Sequence, residues 1–396
     1  MNVASIPPPP TPDRLERFRA ARAKLDPAGD PADAGSFYVD SPRSVSARIA
    51  AELAIAPAST HLLVGGVGSG KTTELLATER RLTSIPDVAT LYVDVTKQHD
   101  IAKMSPGTVI AQVGLALAAR LEAIGRPRYT RAAKDVAFGS WQELEPDDEP
   151  DRPMEYVPGL LVSPEHVVVN VRRAREPLEG LLRAVRLDVQ HLVVLLDGLD
   201  RITDLQEFEQ LIHHDVKTLT SLGVGVVLVG PLRAQYGLDR VLIQRFDSFH
   251  YQPWIDVTRD GSGHEFLAGV LAMRAPEAFD PPAIEPLVIG SGGVLRDLLS
   301  LGQSALVEAY MGGAERVGSQ EVDAAIESFG RKHLQGLRPA ELEVLQRVRT
   351  RGSFVQTSED DLALLMTRRV LEYRTSNQPR YAVHPTIDGL LRELAG

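Results

Sequence analysis

The chain has 396 residues, of which 43% are hydrophobic and 24% are charged, and its formal net charge is −10. This length predicts two or three domains with cores of their own, and the acidic balance excludes a protein that coats nucleic acid over its whole surface. The absence of cysteine excludes disulfides, thiolate metal sites and a cysteine nucleophile.

Residues 1–36 are predicted to form a proline-rich extension with one helix. Four consecutive prolines, Pro7 to Pro10, cannot join a helix or a sheet, and a charged helical pattern follows from about Asp13 to Leu25. The first residues have neither a basic start nor an apolar core, so no secretion signal is expected. No apolar run reaches the roughly 20 residues that span a bilayer, and we therefore expect a cytoplasmic protein without a membrane partner.

Residues 37–260 alternate short apolar runs with longer amphipathic stretches, which is typical of strand and helix units around a parallel sheet. Apolar, β-branched runs are typical of strands that helices cover on both faces. The predicted strands are His61 to Val64, Thr90 to Val95, His191 to Leu196 and Gly225 to Val229. An acidic, proline-rich stretch at 143–158 interrupts the pattern and is expected to be a solvated insertion.

Helical patterns replace the strands in residues 261–330. They run from Glu265 to Arg274, from Val294 to Glu308 and from Gln320 to Phe329. Residues 331–396 return to a mixed pattern of helices and two short strands, Val370 to Arg374 and Arg380 to Val383. The sequence therefore predicts two further domains after the sheet.

A phosphate-binding loop is the strongest motif in the chain. The sequence GGVGSGKT at 65–72 fits G-x-x-x-x-G-K-[ST] and lies between a predicted strand and a predicted helix. Glycines let backbone N–H groups turn toward an anion, and the lysine reaches the outer phosphates while the threonine hydroxyl binds Mg²⁺. The predicted nucleotide-binding residues are Gly65, Gly66, Val67, Gly68, Ser69, Gly70, Lys71, Thr72 and Thr73.

A second magnesium ligand is predicted where the buried strand 191–196 ends at Asp197. An aspartate there more often caps the next helix, but an upstream phosphate loop favours a metal role. Thr72 and Asp197 are therefore the predicted metal ligands, and ATP with Mg²⁺ is the predicted cofactor. GTP is disfavoured because no Asn-Lys-x-Asp motif is present.

The segment DGLDR at 197–201 resembles the signature of STAND-type ATPases, which are related to the AAA+ class. The resemblance covers about residues 37–396. It implies an α/β fold, in which a P-loop NTPase parallel sheet with helices on both faces (37–260) is followed by a helical lid (261–330) and a winged-helix domain (331–396).

The resemblance also implies roles for individual residues. Arg296, after a Gly-Gly pair, is similar to a sensor 2 arginine that reaches the γ-phosphate, although a surface ion pair is the alternative. Arg245 resembles an arginine finger, with Arg233 and Arg240 as competitors. AAA+ enzymes usually carry a glutamate directly after the magnesium-binding aspartate, but this chain has Gly198 there, so Asp200 is the nearest carboxylate that can orient water. Gly230 and Pro231 occupy the place of the polar sensor 1 residue, so one contact to the attacking water is missing. Both differences predict slow ATP hydrolysis.

The positions of charged residues in the predicted winged-helix domain argue against DNA recognition by this domain. Residues 331–396 carry 11 basic and 8 acidic side chains, a net charge of only +3. The expected recognition helix opens with three acidic residues from Glu359, which would face phosphates. Arg374 and Arg380 on the wing leave DNA contact open. His384 has no partner cluster in the sequence and is expected to be structural.

Three functions remain open at this point. The first is an ATP-hydrolysing switch, of the STAND kind, that controls assembly with a separate effector or sensor protein and forms a nucleotide-dependent homo-oligomer. The second is an initiator- or loader-like AAA+ ATPase acting on DNA. The third is a nucleotide-binding scaffold that does not hydrolyse ATP. The catalytic residues expected for hydrolysis are Lys71, Asp200, Arg245 and Arg296.

Overall fold

The structure, a computed structural model, describes residues 12–27, 37–97, 100–125, 171–236, 242–355, 358–374 and 379–394. The proline run at 7–10, the acidic segment at 143–158 and Arg240 lie outside these ranges. The chain divides into two compact units. We call Val45–Val64 with Lys71–Tyr251 the sheet unit, and Met1–Ser44, Gly65–Gly70 and Gln252–Gly396 the helical unit.

The sheet unit alternates strands and helices along the chain, as the sequence predicts. Its strands are β1 Thr60–Gly65, β2 Val88–Asp94, β3 His191–Asp197, β4 Gly225–Val229 and β5 Ser248–Gln252. Its helices are α2 Ser46–Ile55, α3 Lys71–Leu82, α4 Thr108–Ala123, α5 Val171–Val185, α6 Leu205–Leu211, α7 Lys217–Ser221 and α8 Arg233–Tyr236.

The strands form one sheet in the order β2-β3-β4-β1-β5. The pairs β2/β3, β3/β4 and β4/β1 are parallel. Every residue of β1 and β4 is buried, because the sheet is covered on both faces. One face packs against α2 and α3 through Ile49, Leu53, Leu63, Leu75, Val193, Leu195, Val227 and Val229.

Four of the five strands were predicted, and the fifth was not. β5 reads SFHYQ, and its lack of an aliphatic run gives no signal for a buried strand. It lies at the edge of the sheet, where a strand need not be apolar on both faces. An edge strand of this composition can be identified only from its pairing with β1 in the folded sheet.

The helical unit contains one N-terminal helix and the C-terminal elements. Its helices are α1 Pro12–Lys24, α9 Gly261–Arg274, α10 Pro281–Gly290, α11 Leu295–Gly312, α12 Ser319–Leu334, α13 Pro339–Arg351, α14 Glu359–Met366 and α15 Pro385–Leu394. The strands β6 Val370–Tyr373 and β7 Arg380–Val383 form an antiparallel hairpin. Phe18 and Leu25 at α1 join a core that includes Leu267, Leu287, Leu298 and Leu301.

The predicted fold is confirmed: a parallel P-loop-type α/β sheet carries the glycine loop after its first strand, and a helical C-terminal region follows. α10 escaped prediction because Pro281, Pro282 and Pro286 read as helix breakers, although prolines in the first turn suit a helix start. None of the helices in the described ranges has the length and apolar character that crossing a bilayer requires.

Candidate functional site

The glycine loop is held by close contacts within the helical unit. Gly68 and Gly70 have positive φ angles of 79° and 92°, which favour glycine. A Cβ atom at Gly66 would lie 2.1 Å from Cζ2 of Trp254, and one at Gly68 would lie 2.7 Å from Cβ of Arg296. The glycines therefore allow these two side chains to lie directly against the loop backbone.

Backbone carbonyls of the loop receive hydrogen bonds from the same two residues. Trp254 is 2% exposed, and its Nε1–H donates to the carbonyl oxygen of Val67 at 3.2 Å. The backbone N–H of Arg296 donates to the carbonyl of Gly68 at 3.4 Å. A third bond lies within the loop, where the N–H of Ser69 donates to the carbonyl of Gly66 at 3.1 Å, so the loop backbone is held in a compact turn.

Lys71 and Asp200 form an ion pair in the sheet unit. Lys71 is the first residue of α3 and is 6% exposed, and its Nζ lies 3.0 Å from Oδ2 of Asp200. Asp200 stands in a short 3-10 turn directly after β3 and is half-buried. The predicted phosphate-binding lysine is thus paired with the predicted water-orienting carboxylate.

Asp197 is a buried carboxylate that is held by neutral hydrogen-bond donors. It is 6% exposed and accepts hydrogen bonds from the Tyr92 hydroxyl at 3.0 Å and the Gly198 N–H at 2.8 Å. Burial raises the pKa of Asp197, and the charge of Asp200 raises it further, against the hydrogen bond from Thr72. No ion pair joins Asp197 to a basic side chain in the described part of the chain.

These residues fit Mg²⁺ and a phosphate chain. A hydroxyl and a carboxylate, Thr72 and Asp197, are in contact in the sheet unit and are the oxygen ligands that Mg²⁺ prefers. In the helical unit, the hydroxyl of Ser69 is buried and has no hydrogen-bond partner among the described residues, so it is available to a bound anion. Thr73 is half-buried in the first turn of α3.

The two departures from the expected ATPase pattern have local steric causes. Gly198 has a φ of 87°, and a Cβ there would lie 2.5 Å from Cγ2 of Thr96, so a glutamate does not fit this backbone. A Cβ at Gly230 would lie 2.5 Å from Leu62 and 2.9 Å from Phe208. Close packing therefore accounts for both glycines.

Arg245 is engaged within its own unit. It is the last residue of the 3-10 turn Ile243–Arg245, and its guanidinium lies 2.5 Å from Oε1 of Glu209. About a third of the Arg245 side chain is exposed. A role in a neighbouring subunit would require this ion pair to open.

Sequence reasoning missed a buried cluster that begins one residue after Arg296. Asp297 is 1% exposed, and its Oδ2 lies 2.8 Å from Nε of Arg368 and 3.5 Å from Nε2 of His384. Burial alone would raise the pKa of Asp297, but His384 and Arg368 hold it below its usual range. Because Asp297 lies in the first turn of α11 and its partners flank the β6/β7 hairpin, the cluster links the loop-contacting residue to the C-terminal elements.

Comparisons with known proteins return likenesses of structure only. No protein-family model matches the sequence, and no curated protein matches it. The structure of the Aeropyrum pernix Orc1 protein in complex with DNA is similar at 18% identity and a TM-score of 0.48, over 94% of this chain and 96% of that one.

Two further solved structures are similar over most of the chain. Drosophila ORC bound to DNA shares 15% identity with a TM-score of 0.45, over 98% of this chain and 94% of that one. Cdc6p from Pyrobaculum aerophilum shares 13% identity with a TM-score of 0.43, over 91% of this chain and 98% of that one. This chain has the P-loop ATPase-type fold that its motifs predict, as its strand order and the position of its glycine loop show.

Proposed function

We propose that the protein is a P-loop ATPase that binds ATP and Mg²⁺ through residues 65–73 and works as a slow nucleotide-dependent switch. The observation that carries this proposal is the buried carboxylate of Asp197, which accepts hydrogen bonds from neutral donors and is in contact with Thr72. A bound divalent cation would offset the cost of burying that charge. The neighbouring Lys71 supplies a positive charge for the outer phosphates.

The Lys71–Asp200 ion pair supports a specific order of events. Lys71 cannot serve both Asp200 and the phosphates equally, so nucleotide binding draws its ammonium group away from Asp200. The released Asp200 carboxylate can then orient a water molecule or accept its proton. Magnesium supplies charge neutralisation on the phosphates. The lack of a glutamate at Gly198 supports slow turnover.

The helical unit supplies a route by which the nucleotide state could be reported. Arg296 lies against Gly68, and its neighbour Asp297 is tied to Arg368. A change in the loop backbone on phosphate binding would therefore act on the start of α11 and on the C-terminal hairpin. Such a conformational switch suits control of assembly with a separate effector or sensor protein.

The charges of the C-terminal elements favour protein contacts over DNA at the wing. Arg374 pairs with Glu372 at 2.6 Å, and Arg380 pairs with Asp256 at 2.5 Å. Arg369 donates to the carbonyls of two residues at the end of α12. Arginines held in this way do not present free charge to a phosphate backbone.

Action on DNA, in the manner of an initiator or loader, is the second candidate. Arg347 and Arg351 are exposed and stand four residues apart on α13, and Lys332 is exposed on α12. A basic patch of this kind can contact phosphates although the chain is acidic overall. The similar Orc1 and ORC structures are, by their descriptions, DNA complexes.

Titration calorimetry with ATP and Mg²⁺ tests the proposed binding. We expect Lys71→Ala to weaken binding at least 100-fold, because a charge-assisted contact to phosphate is lost. The exposed Lys217 offers a matched control, and Lys217→Ala should bind as the wild type does. Unchanged affinity of Lys71→Ala would refute the proposal, and ATP binding without any phosphate release would identify the non-hydrolysing scaffold instead.

Two measurements separate the candidate roles. Mass photometry with and without Mg²⁺ and ATP should detect a larger assembly if the switch controls oligomerisation, and Arg245→Ala should reduce it if that arginine acts in trans. Fluorescence anisotropy with a labelled duplex at low salt tests DNA binding. Sub-micromolar affinity that is lost in Arg347→Glu/Arg351→Glu would establish the DNA-binding candidate.

A further inference from the structure

Two histidines and a glutamate converge at the β1/β5 edge of the sheet unit. Glu52 lies in the last turn of α2, His61 near the start of β1, and His250 in the middle of β5. His61 is 0% exposed and His250 is 5% exposed, and the Glu52 side chain is 29% exposed. The phosphate-binding chemistry proposed above uses none of these three residues.

The three side chains bring one ligand atom each to a common point. Nδ1 of His61 lies 3.0 Å from Nε2 of His250, and Oε2 of Glu52 lies 3.6 Å and 3.5 Å from these two nitrogens. Ligands about 2.0–2.1 Å from a tetrahedral zinc ion are about 3.3 Å apart. The observed separations scatter around that value.

Hydrogen bonds fix the tautomer of His61 so that its lone pair faces the cluster. The hydroxyl of Ser59 donates to the carbonyl of Ala56 at 2.6 Å, so its oxygen is left to accept from Nε2–H of His61 at 2.7 Å. Nδ1 of His61 is therefore unprotonated. A hydrogen bond on the far ring nitrogen is the usual way in which proteins orient a metal-binding histidine.

Glu52 is held in the same manner. Nε of Arg48 donates to its Oε1 at 2.8 Å, and Ser248 gives a second side-chain hydrogen bond. Oε2 is buried, and no group in the described part of the chain is within hydrogen-bond geometry of it. This oxygen faces the two imidazole nitrogens, so it is available to coordinate a cation between them.

We propose that Glu52, His61 and His250 form a binding site for Zn²⁺ that leaves one coordination position to water. Two imidazoles and one carboxylate suit zinc and do not suit Mg²⁺, which prefers oxygen ligands. The ion would join α2 to β1 and β5 and stabilise that edge of the sheet. Without an ion, the same contacts would amount to a histidine–histidine hydrogen bond.

The test is Zn²⁺ binding by the full-length, untagged protein, measured by competition with a chromogenic chelator. Excess Mg²⁺ and no nucleotide are present, so that hard oxygen sites are filled. We expect one equivalent of Zn²⁺ to bind and the melting temperature to rise. Co²⁺ in place of Zn²⁺ should give the visible bands of a tetrahedral site.

Glu52→Gln and His250→Gln should each weaken Zn²⁺ binding at least ten-fold and abolish the rise in melting temperature. The control is His213→Gln/His214→Gln, which removes an exposed pair of adjacent histidines and should change neither value. Because Glu52 is partly exposed, Glu52→Gln is expected to fold, and it still tests the proposal if His250→Gln does not fold. Absence of Zn²⁺ binding by the wild type, or equal binding by Glu52→Gln, would overturn the proposal.

Discussion

Asp197 of the sheet unit and Asp297 of the helical unit are similarly buried but have opposite surroundings. Asp197 contacts neutral hydroxyl and amide donors and stands near a second carboxylate, and its pKa is raised chiefly by burial. Asp297 contacts a guanidinium and an imidazole, and these partners lower its pKa although burial alone would raise it.

The difference between the two carboxylates separates a binding function from a structural one. A buried charge that lacks a cation is costly in the free protein and gains from a metal ion. A buried charge with its cation in place serves as a fixed link. We therefore assign ligand binding to Asp197 and coupling to Asp297.

The largest effect is expected when the cation of the structural pair is removed. Arg368→Ala leaves Asp297 buried without its guanidinium, which should lower the free energy of unfolding by about 3–5 kcal/mol. Urea denaturation measures the change. Arg392→Ala removes an exposed i,i+4 ion pair and should cost less than about 0.5 kcal/mol.

A double variant sharpens this result. Arg368→Ala/Asp297→Asn has no unpaired buried charge and should recover part of the lost stability. A loss below about 1 kcal/mol in Arg368→Ala would contradict the assignment of Asp297 as a structural link.

The next effect concerns the second carboxylate near Asp197. Asp200→Asn should slow phosphate release about 100-fold while ATP still binds, because a water-orienting carboxylate is lost. Single-turnover release of phosphate measures the rate. The exposed Glu207 serves as control, and Glu207→Gln should keep the wild-type rate. Wild-type turnover by Asp200→Asn would mean that another group activates the water.

A smaller effect is expected from acidification of the helical unit. Burial, followed by the charge of His384, lowers the pKa of His333 to about 4. Between its ordinary value near 6.5 and about 4, the unfolded chain takes up a proton that the folded chain does not, so stability falls as pH falls through this window. In His333→Gln, the free energy of unfolding should fall by about 1–2 kcal/mol less over this pH range than it does in the wild type. Equal pH profiles of urea stability would contradict this.

The smallest effect tests Asp197 in the absence of metal. Asp197→Asn removes an uncompensated buried charge, so without Mg²⁺ its stability should be unchanged or higher by up to about 1 kcal/mol. Its ATP binding should no longer respond to Mg²⁺. Thermal melting and calorimetry with and without Mg²⁺ measure both. A clear loss of stability without Mg²⁺ would show that Asp197 is structural in the way that Asp297 is.

The sequence determined the features that depend on neighbouring residues. The phosphate loop at 65–72 and the strand that ends at Asp197 were readable because a motif and an apolar run each lie within a few positions. The sequence did not predict α10, which contains three prolines, or β5, which lacks an aliphatic run. Tertiary packing stabilises both elements.

Only the tertiary structure decided which charged groups meet. Asp297 and Arg368 are 71 positions apart, and His61 and His250 are 189 positions apart, so no local pattern links them. Their pairing depends on which helices and strands pack together and on how deeply each group is buried. Burial and the partner's charge then decide whether a carboxylate is free to take a cation, and both arise only when distant segments meet.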